Sequence, residues 1–227
     1  MAGNESVWVV VPAYNEAPVL SAVLADLLCV CPRVVVVDDG SADDTACEAV
    51  SVGARVVRHP INLGQGAALQ TGIDFALSQQ ADYIVTFDAD GQHDPRDIAA
   101  LLDAVRRPDV DVALGSRFLG HASGMPRGRR LLLKAATLFT ALTTGMRLTD
   151  AHNGLRAISV EAAKKIHFVQ NGMAHASELL SQIRAAKLRW VEVPVNIRYT
   201  PYSKGKGQTT LDGINIVLDL LAGRLGR

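Results

Sequence analysis

The chain has 227 residues, 48% of them hydrophobic, enough apolar material for one sizeable core and a single folding unit. Its 23 basic and 23 acidic side chains balance to a formal net charge of zero, which argues against nucleic-acid binding through an extended basic surface. No run of 18 or more apolar residues supports a transmembrane span, the first residues lack signal-peptide organisation, and Cys29, Cys31 and Cys47 have no CxxC spacing, so they are expected as small buried hydrophobes in a reducing cytosol.

Short β-branched runs alternate with helical stretches through the first half, the pattern of a largely parallel sheet flanked by helices. "VWVVVP" (7–12) predicts a strand and "APVLSAVLADLL" (17–28) a helix. "RVVVVDDGS" is a second strand ending in acid, followed by the helix "SADDTACEAVSV" with Ser41 or Asp43 as its cap. "ARVVRH", the helix "GQGAALQTGIDFALSQQ" and the strand "DYIVTFDAD" come next. The helix "DPRDIAALLDAVRR" and the strand "VDVALGSRF" close this half. Acidic or glycine-containing loops fall at the carboxyl ends of these strands, where open α/β sheets bind ligands. After residue 120 a basic cluster opens a leucine-rich helix (129–144), "LTDAHNGLRAIS" predicts loop plus strand, and "HASELLSQIRAAKL" a helix. "RWVEVPVNIRY" is strand-like with Pro194 marking an edge, "TPYSKGKGQTT" is a polar loop, and a last helix is expected over 209–223.

The acids carry the chemistry. Asp88 and Asp90 stand two apart at a strand end, so a continued strand points both side chains one way. Two carboxylates that close repel unless a cation lies between them, and magnesium takes one or two carboxylates while phosphates and water complete its shell. Gln92 can add a neutral oxygen. Asp94, Pro95 and Asp97 instead have the spacing of an N-cap, a proline at N1 and a first-turn acid. Asp38 or Asp39 suits either a nucleoside contact or a tight turn at Gly40. Gly64 and Gly66 open a helix and can cradle phosphate, although Leu69 replaces the third glycine of a dinucleotide fingerprint.

In order, "VPAYNE" (11–16), "DDGS" (38–41), "NLGQG" (62–66), "DADGQHDP" (88–95) and "GSRF" (115–118) resemble family-two glycosyltransferases. The chain looks most like their polyprenol-phosphate (dolichol-phosphate) mannosyltransferase group. "TDAHNGLRA" (149–157), "SELL" (177–180), "VEVPVNIRY" (191–199) and "SKGKG" (203–207) extend the resemblance over nearly the whole chain. Gln65, Leu155 and Pro201 depart from the lysine, phenylalanine and glycine frequent in that group.

The resemblance implies a type-A nucleotide-diphospho-sugar transferase fold, with a nucleotide-binding half at 1–120 and an acceptor half at 121–227. It implies a sugar-nucleotide donor held by Pro12, Tyr14, Glu16 and Asp39, and Mg²⁺ or Mn²⁺ on the diphosphate held by Asp88, Asp90 and Gln92 around Ala89, with Arg117 nearby. Transfer is expected to invert the anomeric carbon. A lipid-phosphate acceptor needs cations rather than a general base, and Arg127, Arg129, Arg130, Arg156, Arg198 and Lys204 are available; Glu178 matches an acid near the acceptor. His152 and His175 are assigned no role. The resulting expectation is a hexosyltransferase acting on a polyprenyl phosphate, peripheral at the inner face of the membrane through an interfacial helix or a small membrane partner. A transferase acting on a saccharide hydroxyl and a non-catalytic nucleotide-sugar-binding subunit are the competing readings.

Overall fold

In the computed structural model the described residues are 5–172 and 174–206, without the side chains of 204–206. Strand β1 (Val7–Ala13) leads to helix α1 (Ala17–Val30), β2 (Val34–Asp38), α2 (Thr45–Ser51), β3 (Arg55–Arg58), α3 (Gln65–Ser78) and β4 (Tyr83–Thr86). Then come α4 (Asp97–Val105), β5 (Val112–Ser123), α5 (Arg127–Thr144), β6 (Arg156–Ser159), α6 (Val160–Ala163), α7 (His175–Ala185), β7 (Trp190–Arg198) and α8 (Pro201–Lys206). The expected helix over 209–223 lies outside the described residues, and the expected polar loop after β7 begins instead as α8.

The strands form one seven-stranded sheet in the order β3-β2-β1-β4-β6-β5-β7. All neighbours are parallel except at β6, which runs antiparallel to both β4 and β5. The α/β class and the mostly parallel sheet are therefore as expected, and Pro194 does lie on an edge strand, where its missing N–H costs no ladder bond.

Register explains the continuous apolar runs. Val9 and Val11 of β1 bury under α1 and α4 with Leu20, Leu24, Leu27, Phe87, Ile98 and Leu101. Trp8 and Val10 bury on the opposite face with Leu69, Ile73, Leu179 and Ile183. A strand covered on both faces has no polar side to alternate with. Helix α1 starts with a proline in its first turn and ends at an extended Cys31, before Pro32. Cys31 is buried, but Cys29 and Cys47 are exposed, because they fall on the outer faces of α1 and α2.

The strand order reverses between β1 and β4, so β1 is followed in space by β2 on one side and β4 on the other. Open α/β sheets bind ligands at such a switch point, outside the carboxyl ends of the strands.

Candidate active site

The loop after β1 is built against the loop after β2. Asn15 adopts a left-handed φ of 52° and its amide donates to Ser41 Oγ at 2.9 Å. The Glu16 amide donates to Thr45 Oγ1 at 2.8 Å, and Asn15 Oδ1 accepts the Ala42 amide at 2.9 Å. Ser41 thus serves the neighbouring loop rather than capping α2, whose first amide, Thr45 N, donates to Asp43 Oδ1 at 3.1 Å.

The Asp38–Asp39 pair is spent on the fold. Asp38 accepts the Ser41 amide and pairs with Arg58 at 3.0 Å. Asp39 accepts the amides of Leu63 (2.9 Å) and Gly64 (2.7 Å), and His59 Nδ1 lies at 2.7 Å. Gly40 has a φ of +71°, and a Cβ there would run into the backbone of Ile61 and Asn62. The turn and the loop 59–64 are therefore one interlocked unit, with Asp39 on the cavity wall.

Strand pairing of β4 ends at Thr86, so strand alternation does not aim Asp88 and Asp90, contrary to the expectation from their spacing. They lie in a turn completed by Gly91 at φ 71°. Asp88 Oδ2 lies 3.0 Å from His93 Nε2, and Gln65 Nε2 donates to Asp88 Oδ1 at 3.3 Å. Asp90 accepts the Gln92 backbone amide at 3.0 Å and its side-chain amide at 2.6 Å. Gln92 thus uses its side-chain N–H groups to hold Asp90.

The two acids differ electrostatically. Burial raises the Asp88 carboxyl, but the hydrogen bond and charge of His93, with Arg156 and His175 nearby, outweigh it and leave the group below its usual range. Asp90 is held above its usual range by burial and then by the charge of Asp88. Among the described residues no third His, Cys, Asp or Glu completes a metal cage with them.

Both acids open onto a cavity of about 780 Å³. One wall is polar: Tyr14, Glu16, Asp39, Asp88, Asp90 and Gln92, with Pro12 and Ala89 between them. The lining also includes an apolar stripe of α5: Leu132, Leu133, Ala135, Ala136 and Phe139. Arg117 and Arg129 also line the cavity. Arg117 donates Nε to Asp150 at 2.6 Å, one terminal nitrogen to Tyr199 at 3.0 Å and the other to the His152 carbonyl at 3.1 Å. Arg129 lies 5.4 Å from the Tyr199 ring centroid.

Other expected site residues lie elsewhere. Of the basic cluster Arg129 lines the cavity, while Arg130 is exposed one step around the helix. Gly66 is not on the wall; its amide donates to the Asn171 carbonyl at 2.8 Å, and a Cβ would strike the backbone of Gln170. The glycine admits the 170–172 segment rather than a phosphate. Glu178 is also off the wall, its carboxylate accepting the amides of Val169 and Gln170 at 3.1 and 2.8 Å. Arg156 is buried with Asp88 and Asp150 nearby, and burial pulls its guanidinium below the usual range. Arg198 pairs with Asp94 at 3.4 Å and donates its amide to the Gln92 carbonyl. The Lys204 side chain lies outside the described atoms. Asp94 accepts the Arg96 amide as a cap does, but regular helix begins only at Asp97, whose carboxylate clasps Asn196 of β7.

Sequence reasoning missed His93 as the partner of Asp88 and left His152, on the cavity wall, without a role. Burial lowers the His152 imidazole below its usual range, so it is neutral. The only local signal for His93 was its place between the acids and the helix cap. Tyr202 was likewise passed over; its hydroxyl donates to Glu16 Oε2 at 2.8 Å, bringing α8 to the cavity rim where Ser203 lines the wall.

A sheet that binds at its strand ends, with an acid turn and an apolar helix lining one cavity, defines a nucleotide-sugar-transferase-like architecture, and the chain belongs to glycosyl transferase family 2, whose profile matches residues 8–167. It is 37% identical to an uncharacterized protein of Methanocaldococcus jannaschii, over 96% of this chain and 92% of that one. It is 30% identical to UDP-N-acetylglucosamine–dolichyl-phosphate N-acetylglucosaminyltransferase of Methanococcus voltae, over 99% and 98% of the two chains. Undecaprenyl-phosphate mannosyltransferase of Micrococcus luteus is 32% identical over 82% of this chain and 81% of its own. Among solved structures, glucosyl-3-phosphoglycerate synthase from Mycobacterium tuberculosis, crystallised with Mn²⁺, uridine diphosphate and glucosyl-3-phosphoglycerate, superimposes with a TM-score of 0.73 at 22% identity. That likeness covers 96% of this chain and 80% of the other, and it establishes the type-A transferase fold.

Proposed function

We propose that the protein moves a hexosyl unit from a nucleoside-diphosphate sugar to a polyprenyl phosphate. The observation that carries this reading is the joining of two unlike sets of lining residues in one cavity: the carboxylates at the strand ends and the leucine, alanine and phenylalanine stripe of α5. A sugar nucleotide with a divalent cation suits the first set, and a prenyl chain suits the second. The names of the Methanococcus and Micrococcus relatives agree with a lipid-phosphate acceptor.

The donor set fits Mg²⁺ or Mn²⁺. Asp90 is held up by burial and then by the charge of Asp88, the latter a repulsion that a cation would offset, and two carboxylates without a third acid among the described residues match an ion that keeps phosphate and water ligands. Bound there, such an ion would offset the charge that develops on the departing nucleoside diphosphate. Pro12, Tyr14, Glu16 and Asp39 border the space for the nucleoside, and Gln92 and His93 hold the two acids in place. Arg117 and Arg129 supply positive charge for the acceptor phosphate. Apart from Arg117, the residues assigned to the donor then fall within 1–120 and those assigned to the acceptor within 121–227, the two halves expected from the resemblance.

A phosphate acceptor is already charged at neutral pH and attacks the anomeric carbon directly, with inversion and without a base. A saccharide hydroxyl would need one, and Glu178, the candidate, has its oxygens committed to backbone amides away from the cavity. A peripheral position on the membrane fits the exposed Leu131 (72%), Leu138 (63%) and Leu142 (78%), on a helix that carries Arg127, Arg130 and Lys134 and no acid. Among the described residues no helix is long and apolar enough to cross a membrane.

The test is incubation with a panel of GDP- and UDP-sugars, Mg²⁺ or Mn²⁺, and a short polyprenyl phosphate, with the lipid product identified by mass spectrometry. A polyprenyl phosphohexose, lost on chelation of the metal, is expected. Consumption of no donor across the panel would favour the non-catalytic subunit, and transfer only to saccharide hydroxyls would replace the acceptor.

A further inference from the structure

Resting on the reading of Asp88 as a donor-site metal ligand, we infer that Gly154 is a positioning residue for it: the side chain missing at Gly154 is the space the Asp88 carboxylate occupies. A Cβ built on Gly154 would overlap both carboxylate oxygens and Cγ of Asp88. No φ in the left-handed region is imposed on Gly154, so its backbone does not require glycine. The demand comes from Asp88, whose carboxylate supplies the three nearest atoms an added Cβ would meet.

The parts around the contact differ in stiffness. The loop carrying Gly154 is pinned at several points. Glu192 accepts the amides of Thr149 (2.9 Å) and Asp150 (3.0 Å), Asp150 is fixed to Arg117, and Thr86 Oγ1 donates to the Gly154 carbonyl at 2.6 Å. The Asn153 side chain accepts the Leu155 amide at 2.9 Å on the other side. Asp88, by contrast, is held at its carboxylate by His93 at 3.0 Å and Gln65 at 3.3 Å. A methyl group at 154 therefore displaces the carboxylate rather than the loop. His93, Gln65 and the bare Cα of Gly154 together select one Asp88 rotamer out of the several an aspartate can adopt, and that rotamer faces the cavity wall. Gly154 does not itself line the cavity, so its substitution adds nothing to the wall.

The experiment measures Mn²⁺ binding by the electron paramagnetic resonance of free Mn²⁺, with UDP and with GDP in parallel, for wild type, Gly154→Ala, Asp88→Ala and the double variant, alongside thermal unfolding. Expected is a loss of Mn²⁺ affinity in Gly154→Ala of about tenfold or more, with Tm moved by less than about 4 °C. In the Asp88→Ala background the same substitution should change affinity by less than about twofold, since nothing is left to displace. Wild-type Mn²⁺ affinity in Gly154→Ala, or an equal loss in both backgrounds, would overturn the inference while leaving the Asp88 reading intact. Wild-type affinity in Asp88→Ala would overturn the metal reading and the inference with it. If Gly154→Ala fails to fold, the double variant must fold, because the clash is gone; its failure too would show that the glycine serves something other than Asp88.

Discussion

Two acid pairs stand at the carboxyl ends of strands flanking β1, and the contrast between them separates structure from chemistry. Asp38 and Asp39 follow β2 and are consumed by the fold: two loop amides, His59, the Ser41 amide and Arg58 take their oxygens. Asp88 and Asp90 follow β4 in the turn completed by Gly91, with Asp90 pushed up by burial and by its neighbour's charge. The first pair stabilises the loops that border the cavity. In the second, burial and a neighbouring carboxylate hold Asp90 above its usual range, a perturbation of the kind that clusters at functional sites.

Neutralising one acid of the second pair should produce the largest effect. Asp90→Asn is expected to reduce transfer by about 10²–10³-fold and, measured without metal, to raise stability by about 0.5–2 kcal/mol by removing the repulsion. A variant that is inactive but less stable by chemical denaturation would break the comparison.

His175, buried near Asp88, gives the next effect. Burial pulls its imidazole from 6.5 down to about 4, so the folded protein holds it neutral. As pH falls below 6.5 the unfolded chain takes the proton first, and stability is lost progressively until the folded group protonates near 4. The loss over that window should approach roughly 3 kcal/mol, at 1.36 kcal/mol per pH unit. In His175→Phe the denaturation midpoint should be correspondingly flatter with pH.

Asp39→Ala leaves the Leu63 and Gly64 amides without their acceptor and is expected to cost about 2 kcal/mol of stability, opposite in sign to Asp90→Asn. Equal signs for the two would show that the pairs do the same job. The smallest effect is assigned to Glu178→Gln: one oxygen still accepts a loop amide, so stability should drop by no more than about 1 kcal/mol and kcat stay within about twofold. A collapse of kcat at unchanged stability would restore Glu178 as a catalytic base.

Much of this was legible in the chain. The strands β1 and β2 announce themselves as β-branched runs, and a strand buried on both faces tolerates little else. The acids stood at strand ends because the loops there carry polar groups, and the ordered motifs pointed to the family. What misled was local inference carried past the element that licensed it. Alternation was applied to Asp88 and Asp90, although β4 stops at Thr86. Gly66, in a helix-opening glycine pair that suits a phosphate, instead admits the backbone of Gln170, 104 positions further along the sequence. Cys29 and Cys47 are exposed rather than buried, because the absence of CxxC spacing says nothing of which helix face meets the sheet.

By itself the sequence determined the elements, their class and the residue types present at each strand end, because those follow from side-chain chemistry and spacing within a few residues. The tertiary structure decided which acids remain available. It inserts β6 antiparallel between β4 and β5, carrying the 149–155 loop against the acid turn, and lays α5 across the cavity as its apolar wall. Those contacts join residues tens of positions apart, and no local pattern records them, because a carboxylate's fate depends on which donors the folded chain brings within hydrogen-bonding reach of it.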